Sequence, residues 1–169
     1  SLALIYATRM LGLFMILPVF AIYVENLDQV TPLLVGLAIG IYGLTQALFQ
    51  IPFGAWSDRA GRKPVIIIGL CIFLLGSIVA ATSGSIYGVI IGRALQGMGA
   101  IASVIMALAS DLTREEHRTK VMAVIGASIG AAFMLALILG PILEGWFGVK
   151  GIFWLTALLA AVSIAPLTL

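Results

Sequence analysis

Long apolar runs separated by short polar links follow one another along the whole chain. We count six runs of roughly 18 to 25 residues, each able to cross a hydrocarbon layer of about 30 Å. They cover residues 2–24, 33–55, 64–81, 86–109, 121–143 and 152–169. Because almost nothing is left over for a soluble domain, this pattern predicts an all-α membrane protein with six transmembrane helices, named spans 1 to 6 in chain order.

The composition agrees with the pattern and narrows the range of functions. Hydrophobic residues make up 62% of the chain and charged residues 9%, and the mean hydropathy is +1.21. The spans contain no His, Asp or Glu. They therefore lack the nucleophile–base pairs, paired carboxylates and metal-ligand clusters that intramembrane enzymes need. We predict no catalytic residue, no metal site and no cofactor.

The charged side chains are distributed unevenly between the links. The links after spans 2 and 4 hold Arg59, Arg62, Lys63, Arg114, Arg118 and Lys120. The other three links hold a single basic residue, Lys150. Under the positive-inside rule the basic links face the cytoplasm, and so do both ends of the six-span unit. No aromatic residues are interleaved with the basic ones, so we predict the lipid bilayer as a partner and no nucleic acid.

Spans 1–3 and spans 4–6 carry similar features in the same order. The shared order pairs Arg9 with Arg93, Gly36 and Gly40 with Gly126 and Gly130, and Pro52 and Trp56 with Pro141 and Trp146. Three spans repeated after an odd number of crossings insert with opposite orientation. The order predicts a 3+3 inverted repeat, an architecture of many secondary transporters.

Two acidic residues lie at helix ends that disfavour them. Asp58 ends span 2 within the segment GAWSDRAGRKP, residues 54–64, and Asp111 ends span 4. Both meet the negative end of a helix dipole. We therefore expect cationic partners for them, and the nearby basic residues are Arg59, Arg62, Lys63 and Arg114.

Three segments resemble signatures of the major facilitator superfamily. GAWSDRAGRK, residues 54–63, resembles the loop signature between its second and third spans, and RALQG, residues 93–97, resembles its span-4 signature. LGPILEG, residues 139–145, resembles an antiporter signature in span 5, although Ala136 and Glu144 stand where that pattern has glycine. Along its whole length the chain is similar to the drug:proton antiporter branch.

The resemblance implies an architecture and a function. Members have twelve spans in two six-span bundles around a substrate cavity, so this chain is expected to be the N-terminal bundle, with the C-terminal bundle as its missing partner. The expected activity is secondary active, proton-coupled efflux of a small amphipathic molecule by alternating access, in a bacterial inner membrane. The alternative is a non-transporting sensor or assembly module that retains the scaffold.

The loop signature also implies a cytoplasmic latch, in which Arg62 links Asp58 to Asp111. One guanidinium can bond two carboxylates with defined geometry. The other expected members are Gly54, Arg59, Gly61 and Lys63. The alternative is that this segment only sets the topology of the chain.

Two arginines inside the spans are candidates for the translocation path. By resemblance Arg93, with Gln96 and Gly97, takes part in proton coupling; the alternative is a structural arginine bound to backbone carbonyls of a broken helix. Arg9 either belongs to the same path or extends toward the cytoplasmic headgroups, as long cationic side chains do near an interface.

The remaining candidates lie on spans 2 and 5. Tyr42, Gln46 and Gln50 are spaced four apart and either line a cavity or hydrogen-bond a neighbouring helix. The antiporter-like positions of span 5 are Gly126, Gly130, Gly140, Pro141 and Gly145. A stripe of small residues on span 2, namely Gly36, Gly40, Gly43, Ala47 and Gly54, predicts close helix packing.

Overall fold

The chain folds almost entirely into α-helices. The computed structural model describes residues 2–25, 27–99 and 101–168. The helices are α1 (Leu2–Val24), α2 (Pro32–Ala60), α3 (Arg62–Thr82), α4 (Ile86–Met98), α5 (Ala102–Asp111) and α6 (Glu115–Thr168). Within the described ranges, one isolated bridge between Asp28 and Ser85 is the only β-type pairing.

Five helical segments are long and apolar enough to cross a membrane. They are α1, α2, α3, the pair α4 and α5 taken together, and α6. This confirms the predicted all-helical membrane protein. The count of six crossings stays a prediction, because the two last predicted spans lie within the single helix α6 and the predicted end of span 6, Leu169, lies outside the described residues.

Helix α6 folds back on itself at Gly148, whose φ of 70° and ψ of 175° are not helical. A straight helix of its 54 residues would be about 80 Å long. Instead, residues on both sides of Gly148 contact the same part of α1. The Phe133 and Phe14 rings lie 5.1 Å apart, and the Thr156 hydroxyl donates to the carbonyl of Gly12 at 3.2 Å. Residues 115–147 and 149–168 are therefore two arms.

The core lies around α1 and α3. Helix α1 packs against α6, α3 packs against both α4 and α6, and α2 packs mainly on α4. Buried apolar side chains form two layers along the bundle. One contains Leu70 and Ile105, and the other contains Phe20 and Phe153.

The segment GAWSDRAGRKP is a corner between two helices rather than a loop. We predicted that span 2 ends at residue 55, which is wrong for the helix, since α2 runs to Ala60 and α3 begins at Arg62. Only Gly61 separates them, with a φ of 95° that favours glycine. The apolar run ends near residue 55, whereas the backbone stays helical to Ala60.

The predicted continuous helix over residues 86–109 is wrong in its middle. Helix α4 ends at Met98 and α5 starts at Ala102. A Cβ on Gly99 would overlap the carbonyl of Gly69 on α3, so the backbone of Gly99 itself forms the contact. The apolar run could not reveal this break, because it depends on how closely α3 approaches.

The small-residue stripe of span 2 is mostly unpacked within this chain. A Cβ added to Gly36, Gly40 or Gly43 would meet no described atom within 4 Å. Close packing at these three glycines therefore has no partner among the described residues and stays a prediction for another helix. Gly54 differs, since its added Cβ would lie 3.6 Å from the Ser103 hydroxyl on α5.

Candidate functional site: a cytoplasmic corner and two buried arginines

Arg62 contacts carboxylates from two other helices at the α2–α3 corner. Its Nη1 lies 2.5 Å from Asp58 Oδ1 at the end of α2, and its Nε donates to Asp111 Oδ2 at 3.0 Å at the end of α5. The side chain of Arg62 is 21% exposed, while those of Asp58 and Asp111 are 63% and 55% exposed. One guanidinium thus joins three helix ends where water has access.

Ser57 is a member of this corner that the sequence analysis missed. Its hydroxyl accepts a 2.6 Å hydrogen bond from Arg62 Nη1 and donates one of 2.7 Å to the carbonyl of Gly54. Ser57 is 2% exposed. Its position one turn before Gly61 was the available signal, because a helix that continues to Ala60 turns this side chain toward Arg62.

The other predicted residues of the corner have fewer polar contacts than Arg62. Arg59 and Lys63 are exposed, and neither forms an ion pair within the described ranges. Gly54 lies near Ser103, whose hydroxyl donates to the carbonyl of Gln50 at 3.1 Å. This contact joins α2 to the start of α5, about two helical turns from Asp58 and Asp111.

Arg93 is enclosed within the bundle, at 2% exposed. Its Nε donates to the carbonyl of Ala38 at 3.4 Å, and its Nη1 donates to Gln96 Oε1 at 3.1 Å. Gln96 in turn donates to the Ser77 hydroxyl at 2.9 Å. Arg93 therefore connects α2 and α3 through neutral groups, which are the contacts expected of a structural arginine.

Tyr42 faces Arg93 rather than the exterior. The Arg93 guanidinium lies 4.9 Å from the centre of the Tyr42 ring, and Tyr42 is 6% exposed. Gly97 completes this contact between α2 and α4, because a Cβ there would overlap both the Thr45 hydroxyl and the Tyr42 carbonyl. Gly97 is thus a point of direct backbone contact.

Arg9 does not extend to the headgroups, so that alternative is wrong. Its side chain is 1% exposed, donates from Nη2 to the carbonyl of Gly99 at 3.1 Å, and lies 5.1 Å from the centre of the Phe73 ring. The same carbonyl also accepts a 2.9 Å hydrogen bond from the backbone amide of Ile101, in the break that follows α4. Arg9 therefore braces the break between α4 and α5.

Gln46 and Gln50 do not follow Tyr42 into the bundle. Both are half-buried, and neither side chain forms a hydrogen bond with any other described residue. The alternative that they hydrogen-bond a neighbouring helix finds no support in this chain.

The antiporter-like positions divide into two groups. Gly140 is buried, and its added Cβ would lie 2.6 Å from the carbonyl of Met15, so α6 approaches α1 here. Gly126, Gly130 and Gly145 are exposed, and an added Cβ would meet no described atom within 4 Å. Pro141 is exposed next to Gly140.

Apolar helices around buried cations, with an ion-paired corner at one end, define a polytopic membrane protein. The chain matches the Major Facilitator Superfamily over residues 2–169 and belongs to that family. The resemblance predicted from its three signatures is therefore confirmed.

Comparison with individual proteins shows which transporters the chain resembles. It is 56% identical to the inner membrane transport protein YajR of Escherichia coli (strain K12), over 98% of this chain and 36% of that protein. It is 33% identical to a triacylglyceride transporter of Mycolicibacterium smegmatis, over 85% of this chain and 25% of that protein. The crystal structure of the human organic anion transporter MFSD10 shares the fold, with a TM-score of 0.78 at 22% identity, over 98% of this chain and 45% of that one.

These comparisons show that the chain is similar to YajR over nearly its whole length. They also support a multi-pass protein of the bacterial inner membrane. The chain spans about a third of the length of this first relative.

Proposed function

We propose that this chain is the N-terminal six-span half of a proton-coupled exporter, which moves a small amphipathic molecule by alternating access. A second, C-terminal bundle faces it and completes the cavity. The single observation that carries the mechanism is the double ion pair of Arg62 with Asp58 and Asp111 at the cytoplasmic corner. The proposal takes this corner as a latch that differs between the two open states.

The two arms of α6 support the six crossings. Each arm is long enough to cross the hydrocarbon layer, and both lie along α1. In the proposal, the two arms form the last two of six crossings, after α1, α2, α3 and the broken pair α4–α5. The first three and the last three crossings are then the two halves of the proposed inverted repeat.

Unpacked small residues support the facing bundle. Gly36, Gly40 and Gly43 on α2 and Gly126 and Gly130 on α6 leave open space beside the helix backbone. Small residues in membranes allow helices to approach closely. In the proposal, helices of the C-terminal bundle fill that space and slide along it during the cycle.

The substrate class follows from a groove between α1 and the first arm of α6. It has a volume of about 400 Å³ and is lined mainly by apolar side chains, among them Leu4, Leu11 and Leu135. Its two hydroxyl groups, on Thr8 and Ser128, donate to carbonyls of their own helices. Such a surface favours an amphipathic or apolar molecule.

Proton coupling involves Arg93 in this proposal. The guanidinium has only neutral partners among the described residues, so in this proposal its uncompensated charge acts on the coupled proton from inside the bundle. Arg93→Ala should therefore lower the transport rate per folded molecule. If that rate is unchanged, Arg93 has a structural role alone.

The latch acts by a differential interaction. When the cytoplasmic side closes, Asp58 meets the positive N-terminus of a helix in the facing bundle. Partly buried charged contacts of this kind contribute roughly 1 to 3 kcal/mol. Removing one shifts the population of the two states by a factor of about 5 to 150. A contact present in one state alone is what biases such an equilibrium.

Asp58→Asn in the full-length transporter tests this proposal, since it preserves shape and removes the carboxylate charge. We expect normal membrane insertion, lost transport in proteoliposomes and a protein that rests inward-open. Cysteine labelling at the two mouths of the cavity measures the resting state. The exposed Cys71 is first replaced by serine.

Glu116→Gln is the matched control. It removes one negative charge at the same membrane surface, and Glu116 is exposed and forms no ion pair within the described ranges. It should label and transport like the wild type. If Asp58→Asn also transports fully with unchanged labelling, the corner only sets topology and the latch is refuted.

A further inference from the structure

A second groove lies at the same end of the bundle as Arg62. It forms where the start of α1, the end of α5 and the first turns of α6 meet, and its volume is about 340 Å³. Its walls include Ala3, Leu112, Val121 and Val124, and its polar side chains include His117 and Lys120. We call this the α1–α6 groove. It is separate from the groove between α1 and the first arm of α6 that lies beside Thr8 and Ser128.

The rim of the α1–α6 groove is basic. His117 and Lys120 are exposed and three residues apart on α6, so they share one face of the helix. Among the described residues, no acidic side chain lines the groove.

The nearby acidic groups are engaged elsewhere or solvated. Asp111 pairs with Arg62 at 3.0 Å, Glu115 lies 3.7 Å from Arg118, and Glu116 is exposed. The charge of Lys120 is therefore not neutralised by an ion pair among the described residues.

Position and chemistry together indicate the occupant. The rim lies where an apolar run gives way to the basic link that the positive-inside rule assigns to the cytoplasm. Basic pockets between transmembrane helices on that side bind anionic lipid headgroups. The apolar walls match an acyl chain, and the cationic rim matches a phosphate.

We propose that the α1–α6 groove binds one anionic phospholipid from the cytoplasmic leaflet. Lys120 and His117 hold the phosphate, and an acyl chain lies against Leu112, Val121 and Val124. The site depends on the membrane location of the protein and not on the proposed transport mechanism. It has a different ligand and different lining residues from the substrate groove, although Val124 and Ser128 lie one turn apart on the same helix.

Native mass spectrometry of the full-length protein in detergent tests the site. Phosphatidylglycerol, which is anionic, and phosphatidylethanolamine, which is zwitterionic, are added separately at equal concentration. We expect a one-to-one complex that prefers phosphatidylglycerol. Lys120→Gln should weaken that binding about fivefold, since one basic residue near an anionic surface contributes on the order of 1 kcal/mol. His117→Gln should weaken it by less.

Arg118→Gln is the matched control for charge. It removes the same charge from the same helix, but Arg118 faces Glu115 and does not line the groove. It should leave phosphatidylglycerol binding unchanged. Equal losses in Lys120→Gln and Arg118→Gln would mean binding to surface charge in general and would overturn the proposal.

Val124→Trp tests the apolar wall without changing charge. Val124 is 57% exposed, so the larger ring fits without disturbing the core and occupies the groove. We expect weaker phosphatidylglycerol binding. Unchanged binding in this variant, or competition by millimolar glycerol phosphate, would overturn the proposal, because the groove would then hold no acyl chain. Equal binding of phosphatidylglycerol and phosphatidylethanolamine by the wild type would also overturn it, because the basic rim would then not select an anionic headgroup.

Discussion

Arginine serves two different purposes in this chain, one at the α2–α3 corner and the other inside the helix bundle. At the corner, Arg62 pairs with two carboxylates that are each more than half exposed. Inside the bundle, Arg9 and Arg93 are almost fully buried and bond backbone carbonyls, an amide oxygen and aromatic rings. The three side chains are chemically identical, and only their surroundings differ.

The difference is one of reversibility. Exposed ion pairs contribute little net energy, because water can replace either partner at small cost. A buried guanidinium has no such substitute, and each donor left unpaired costs free energy. The corner is therefore suited to break and reform during a cycle, whereas the buried arginines hold α1, α2, α3 and α4 in place.

The largest expected effect is that of Arg93→Ala on stability. Loss of two hydrogen bonds from a buried charged donor should lower the free energy of unfolding by about 3 kcal/mol. Arg62→Ala, the matched change at the corner, should lower it by less, about 1 to 2 kcal/mol, because it removes two solvent-accessible ion pairs and the hydrogen bond to Ser57. Thermal unfolding of the full-length protein, followed by circular dichroism in detergent, compares the two. Equal losses would remove the distinction between the two regions.

The next effect concerns the backbone contact beside Arg93. Gly97→Ala should destabilise the protein by about 1 to 3 kcal/mol, because its methyl group would overlap the Tyr42 carbonyl, which cannot move like a side chain. Gly40→Ala is the control, since open space surrounds that position in this chain. The same unfolding measurement applies. A well-tolerated Gly97→Ala would mean that α2 and α4 can separate, and the interior would then be less rigid than we infer.

Ser57→Ala should have a smaller effect at the corner. It removes the hydroxyl that bonds both Arg62 and the Gly54 carbonyl, which corresponds to about 1 kcal/mol. We expect a modest loss of stability and a partial shift toward the inward-open state in cysteine labelling. Ser57→Thr, which retains a hydroxyl, should restore labelling. A shift in Ser57→Thr as large as in Ser57→Ala would show that the hydroxyl is not what positions Arg62.

The smallest expected change in stability is that of Asp111→Asn. Arg62 retains Asp58 in this variant, so the unfolding free energy should fall by about 0.5 kcal/mol. Its labelling should lie between that of the wild type and that of Asp58→Asn, because only Asp58 is proposed to contact the facing bundle. A larger labelling shift in Asp111→Asn than in Asp58→Asn would contradict this, because Asp111 and not Asp58 would then be the carboxylate that contacts the facing bundle.

Local features of the chain were predicted well where the physics is local. The apolar runs identify helices that cross the bilayer, since a backbone in hydrocarbon must satisfy its own hydrogen bonds. The charges around Arg62 mark the membrane boundary, and Asp58 and Asp111 at unfavourable helix ends indicate that cations lie nearby. The three signatures lead to the family.

Features that depend on contacts between distant segments were predicted poorly. Arg9 is buried where its Nη2 reaches the Gly99 carbonyl, and Gly99 lies in the break between α4 and α5, directly against the Gly69 carbonyl of α3. Likewise, Ser57 joins the corner only because α2 continues past the apolar boundary. No spacing along span 1 or span 2 contains this information.

By itself, then, the sequence determined that the chain is helical and membrane-embedded, where its charged end lies, and to which family it belongs. Hydropathy, helix dipoles and short signatures are properties of neighbouring residues and can be read without a fold. Only the tertiary structure decided which arginine is exposed and which is enclosed, where the fourth span breaks, and where α6 turns back at Gly148. Each of these depends on the distance between helices far apart in the chain, and side-chain volume and backbone approach determine that distance only after the bundle has assembled.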